Sequence, residues 1–132
     1  MRYFFGLLVL LSFAAHGQVA VDAAKLTWTN ATQLVDGQPL PATGPLSVVQ
    51  TWVQRSVAST CAAGAFGTVA QVLKVPVADT SALFEGLTPV GRHCFRLAHV
   101  QENGGLSAWT PAVSKVIAAP VPKAKPPTVT IS

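Results

Sequence analysis

The sequence predicts an all-β fold: an antiparallel β-sandwich of about 100 residues and about six or seven strands, following an N-terminal leader. Three observations predict it. Short runs alternate apolar with polar residues, as half-buried strands do, clearest at Ala82, Phe84 and Leu87 and again at His93, Phe95 and Leu97. Gly, Pro, Asn and Asp interrupt these runs about every ten residues. No helical period is present beyond the leader. A chain of 132 residues, half of them apolar, supports one domain of ordinary size and not two.

Met1-Arg2 precedes the apolar run Tyr3 to Leu11, and small residues follow at Ala14, Ala15 and Gly17. One positive charge, an apolar run and a small-residue exit read as a secretory signal peptide over residues 1–17. Cleavage is placed after Gly17, with Ala20 and Ala23 as alternatives. The run is short of the roughly 20 residues a spanning helix needs, so an uncleaved anchor is the lesser reading. The chain is thus expected to be secreted or periplasmic, meeting a membrane only transiently during export. Without Arg2, eight of the nine Lys and Arg stand against five Asp and Glu. These charges are scattered, which argues against a nucleic-acid partner. Two cysteines in an exported chain, Cys61 and Cys94, most simply pair.

In the body of the chain, residues 18–117, Gln18 to Ala24 offers an abbreviated first strand or a strand-like lead-in. Lys25 to Thr29 is a strand with Leu26 and Trp28 on its core face. Asn30 to Pro45 contains Asp36-Gly37 and three prolines, so it reads as a long turn-rich loop of the kind that often carries function. Leu46 to Val57 is strand-like, with Val53 taken as inward and Trp52 as outward, although the opposite parity is open. Ala58 to Gly67 is a connection, and Thr68 to Val77 a strand placed at a sheet edge by Pro76. Thr80 to Leu97 reads as strand, tight corner and strand, the second running on to about Gln101, with Leu87 and Leu97 completing the core set. A turn at Asn103-Gly104-Gly105 precedes a last strand, Ser107 to Ile117, interrupted at Pro111. Residues 118–132 carry four prolines and two lysines and read as an extended tail. Within it, Thr128 to Ile131 alternates well enough to add as a strand to a partner's sheet edge.

No constellation for catalysis is present. His93 and Cys94 are adjacent on a strand and point to opposite faces, so they cannot share a proton. The histidines and cysteines lack zinc-site spacing, the five carboxylates are dispersed, and no phosphate-cradling glycine loop occurs. No enzyme activity, cofactor, metal or small-molecule substrate is therefore expected. His99 reads as a partly buried, hydrogen-bonded histidine.

Several stretches resemble a fibronectin type III domain, one of the immunoglobulin-like sandwiches, in the version common in secreted bacterial and phage-encoded proteins. Leu26-Thr27-Trp28-Thr29 is similar to that family's Trp-bearing second strand, and Asp36-Gly37-Gln38-Pro39-Leu40 to the D-G-x-P-L that often follows. Thr80 to Pro89, with Gly86-Leu87-Thr88-Pro89, is similar to its fifth strand and corner. Arg96-Leu97, and Ser107-Ala108 with Val113-Ser114-Lys115, resemble its last two strands. The family places Tyr where this chain has His93, whose ring nitrogen can donate the corner's hydrogen bond instead. The resemblance also implies that the third and sixth strands are neighbours, so that a Cys61–Cys94 bridge would staple the outer face of their sheet.

What the resemblance implies for function is a non-enzymatic interaction or structural module that binds a protein or a surface partner, in a bacterial envelope or on a virion surface. The Asn30 to Pro45 loop and the Gln101 to Gly105 turn are expected at one pole. Leu34, Val35, Asp36, Leu40, Trp52 and Trp109 are the candidate contact residues. Equally open is that Leu34 and Leu40 fold back to cap the sandwich. The alternative function is a carbohydrate-binding accessory to a secreted glycosidase or lysis system, with Trp52 and Trp109 meeting a cell-surface glycan.

Overall fold

The structure, a computed structural model, describes residues 10–13, 20–62, 64–119 and 124–132. Its strands are β1 (Leu10–Phe13), β2 (Ala24–Thr29), β3 (Val48–Val57), β4 (Val69–Pro76), β5 (Ser81–Phe84), β6 (Gly91–Gln101) and β7 (Val113–Ile117). They form two antiparallel sheets, one in the order β1-β2-β5 and one in the order β4-β3-β6-β7. No helix occurs among the described residues.

Strand parity decides what the two sheets enclose. Leu26 and Trp28 of β2, Phe84 of β5, Val53 of β3, and Phe95 and Leu97 of β6 all turn inward, joined by Leu87 and Ile117. The rings of Phe84 and Phe95 meet across the sandwich at 5.1 Å between centroids, a tilted contact worth about 1 kcal/mol beyond the area it buries. Trp52 stands on the opposite face of β3 from Val53 and is half-buried. β4 is an edge strand, and its Pro76 sits in the pair Gln50↔Pro76 at the strand's end, where a missing amide donor is tolerated.

Two elements differ from expectation. Of the predicted first strand, Gln18 and Val19 lie outside the described residues, and the described remainder forms none, because Ala20 to Ala23 makes a turn closed by the Ala23 amide donating to the Ala20 carbonyl at 3.0 Å, and Ala24 already opens β2. Instead β1 lies at Leu10–Phe13, inside the predicted leader, and pairs with β2 from Leu10↔Thr29 to Phe13↔Leu26. The remainder of that leader, 1–9 and 14–17, lies outside the described residues. The last strand is also shorter than expected. Ser107 to Ala112 stays irregular because Pro111 supplies no amide, although Ser107 and Thr110 still donate to the carbonyls of His99 and Leu97 at 2.9 Å.

The corner between β5 and β6 is closed by His93. Its Nε2 donates to the Pro89 carbonyl at 2.7 Å, and its Nδ1 accepts from Arg55 Nη1 at 2.9 Å. A guanidinium can only donate, so this pairing places the ring proton on Nε2. Gly86, at φ +60°, takes the left-handed conformation that the turn into the corner requires. Cys61 and Cys94 are disulfide-bonded, with Cα atoms 5.6 Å apart. Cys94 stands on the outer side of β6 opposite Ser56, yet it is fully buried. The 58–67 connection folds over it, held by Ser56 Oγ donating to the Phe66 carbonyl.

Residues 124–132 are exposed and carry no regular secondary structure, and residues 120–123 of the predicted tail lie outside the described residues.

Candidate functional site

The outer face of the four-stranded sheet concentrates the protein's unspent chemistry. Alternation along β6 puts Arg92, Cys94, Arg96 and Ala98 on this face, and registry with β3 sets Gln54 opposite Arg96 and Trp52 opposite Ala98. Lys74 of β4 stands opposite Trp52, and its Nζ lies 4.5 Å from the indole centroid. The Arg96 guanidinium lies between two rings, 4.0 Å from the centroid of Phe66 and 4.8 Å from that of Trp109. Its Nε donates to Gln54 Oε1 at 2.9 Å. Such cation–ring contacts are worth about 0.5 to 2 kcal/mol each. Burial pulls the Arg96 pKa below its usual value by desolvation, yet a guanidinium stays charged at any physiological pH.

Beside this stack an open groove of about 560 Å³ is lined by Cys61, Phe66, Arg96, Trp109 and Pro111. The four strands under it contain Arg55, Lys74, Arg92, Arg96 and Lys115 and no Asp or Glu. Arg55 is turned to His93, and Lys115 reaches the carbonyls of Ala20 and Ala23. That leaves Lys74, Arg92 and Arg96 as the cations of the outer face.

The predicted contact residues divide between two places. Trp52 and Trp109 belong to the outer face just described. The other four lie in the loop after β2, where Gln33 and Pro39 form an antiparallel bridge and Gly37, at φ +86°, makes the turn. Leu34 is buried there, which corrects its candidacy as a contact residue. Its amide donates to the Gln38 carbonyl at 2.8 Å, so the small hairpin closes over its side chain. Leu40 is half-buried, while Val35 and Asp36 are exposed, and Asp36 Oδ1 accepts from the Gln38 amide at 2.9 Å. The loop and the 101–105 turn share one pole: the Glu102 and Asn103 amides donate to the carbonyls of Ser47 and Pro45.

Arg96, Lys74 and Phe66 were absent from the predicted set. Arg96 was within reach of the sequence, since it shares the parity of Cys94. Phe66 was not, because it lies in an irregular connection. Among the described residues no group of three His, Cys, Asp or Glu is placed to hold a metal ion.

No protein-family model matches the chain, and no curated protein matches it. Solved structures do. The third fibronectin III domain of the human KIAA0343 protein is 12% identical, with a TM-score of 0.52, over 91% of this chain and 85% of that one. The fibronectin type III domain of human collagen alpha-1(XX) is 17% identical, with a TM-score of 0.51, over 92% of each. The fold is that of a fibronectin type III domain. At these identities the likeness extends to the fibronectin type III architecture alone.

Proposed function

We propose that the chain is an exported, non-enzymatic interaction module that binds an acidic protein surface through the outer face of its β4-β3-β6-β7 sheet. The observation that carries this reading is Arg96 held between Phe66 and Trp109 beside an open groove, on a sheet whose strands hold cations and no carboxylate. Arg and Trp in such a setting are the residue types that dominate protein interfaces. The setting is secreted bacterial or phage-encoded, in keeping with the leader and with Asp36 to Leu40. A glycan partner draws less support, since Lys74 and Arg96 each cover a face of the two tryptophans a sugar would stack on.

The test is binding of the purified exported protein to its captured partner. Replacing Arg96→Glu or Trp109→Ala is expected to weaken association about 30-fold or more, as truncation of an interface anchor does. Rising salt should weaken it further. Sugar binding on a glycan array, lost in Trp52→Ala, would replace this reading with the carbohydrate-binding one.

A further inference from the structure

β1 occupies an edge of the three-stranded sheet, and it lies wholly within the segment read as a cleaved leader. Removing that leader removes the strand. β2 then becomes the sheet edge over four residue pairs, Thr29 to Leu26. The Trp28 amide donates to Thr80 on the β5 side at 3.0 Å, so the alternate backbone groups, Thr29 among them, face the β1 side. Leu26 and Trp28 are core residues, and the register sets Phe13 and Leu11 opposite them. An exported chain without a replacement strand leaves both a row of backbone groups and one flank of the core open to water.

The same sequence carries a segment that fits this position. Thr128-Val129-Thr130-Ile131 has β-branched residues throughout, and its two apolar residues are two apart, as Leu11 and Phe13 are. Laid antiparallel to β2 in the β1 register, Val129 stands opposite Trp28, Ile131 opposite Leu26, and Thr130 in the place of Ser12. In the structure Val129 is 84% and Ile131 96% exposed, so among the described residues neither is packed into the sandwich. Pro126-Pro127 precede the segment and limit it to the four residues that β1 also has.

We propose that, after leader removal, Thr128–Ile131 of a second copy takes the place of β1 along β2, joining copies head to tail. The geometry favours a second copy over the chain's own segment. β7 ends at Ile117, paired with Gly91, at the pole where β6 begins, whereas a strand in the β1 position enters opposite Thr29, at the other pole. The ten intervening residues include four prolines, and to reach that place on its own β2 the segment would have to return from the pole of Ile117 along the length of the sandwich and over to its other sheet. Lys125 of the donor would arrive at the pole that holds exposed Asp79, next to Thr80. Each copy is both donor and acceptor, so the contact is heterologous and strand addition is its mode.

This inference rests on the export reading above. The full chain is expressed with export and the product analysed by intact mass, sedimentation across a wide concentration range, and hydrogen exchange. The expected result is a start at Gln18, assemblies that grow with concentration, and slowed exchange at Val129 to Ile131 that appears only in the assemblies. Val129→Asp with Ile131→Asp, both exposed and harmless to folding, should abolish assembly, and a synthetic peptide of residues 124–132 should dissolve it. A cleaved product that stays monomeric at every concentration overturns strand exchange and leaves export standing. Slowed exchange of the segment in a monomer overturns it in favour of the chain's own segment. An intact leader in the purified product overturns both strand exchange and export.

Discussion

His99 lies fully buried on β6, between the Ala31 amide, which donates to its Nε2 at 3.4 Å, and Thr51 Oγ1, 2.9 Å from its Nδ1. With Nε2 accepting, the ring proton sits on Nδ1 and Thr51 Oγ1 receives it. Burial lowers the pKa of His99 from 6.5 to about 4 by desolvating the charged form. The folded protein therefore resists a proton that the unfolded chain takes up. Between about pH 6.5 and 4 the unfolded state binds more protons, so stability is full above this window and falls as the pH drops through it, by at most about 1.4 kcal/mol per pH unit. Denaturant midpoints measured across the window should show this slope, and His99→Gln should flatten it. An unchanged slope in the variant would show that another group is responsible. The inward parity of His99 on β6 was legible in the sequence; its full burial and its partners were not, since Ala31 and Thr51 are brought to it from loop and neighbouring strand.

The β5–β6 corner depends on one side chain serving two elements. His93 ties β6 back to Pro89 and also receives Arg55 from β3. His93→Ala leaves the Pro89 carbonyl and the Arg55 guanidinium without this partner and opens a cavity, and is expected to cost about 3 kcal/mol by chemical denaturation. His93→Tyr should recover part of that loss, because a hydroxyl can still donate to the carbonyl but does not reproduce the Nδ1 acceptor geometry. Equal midpoints for all three proteins would remove His93 from the account of the corner. The strand boundaries around it were readable because period-two alternation is a local property. Whether Leu34 met a partner or folded back was open in the sequence for the opposite reason: a four-residue turn with Gly37 decides whether its side chain faces water, and composition is the same either way.

At the scale of the molecule, the two sheets meet through the core, while the Cys61–Cys94 bridge ties the 58–67 connection to the outer face. The cysteines are 33 residues apart in sequence, and closing a loop of that size restricts the unfolded chain by about 3 to 4 kcal/mol. Cys61→Ala with Cys94→Ala is expected to lower unfolding stability by that amount. It should also weaken partner binding, because Phe66 is carried by the same connection and forms one side of the Arg96 stack. Retained stability in the double variant would mean that the connection is held by its hydrogen bonds alone.

Which residues face inward on β2, β5 and β6, and that β4 is an edge, followed from the sequence, because side-chain direction and amide supply belong to each residue and its immediate neighbours; on β3 both parities were open, and packing chose Val53. The placement of Arg96 between Phe66 and Trp109, the covering of Cys94 and the position of β1 were decided only by tertiary structure. Each depends on an irregular segment meeting a strand far away in the chain, and such meetings are selected by packing of the whole sandwich, for which no local pattern exists.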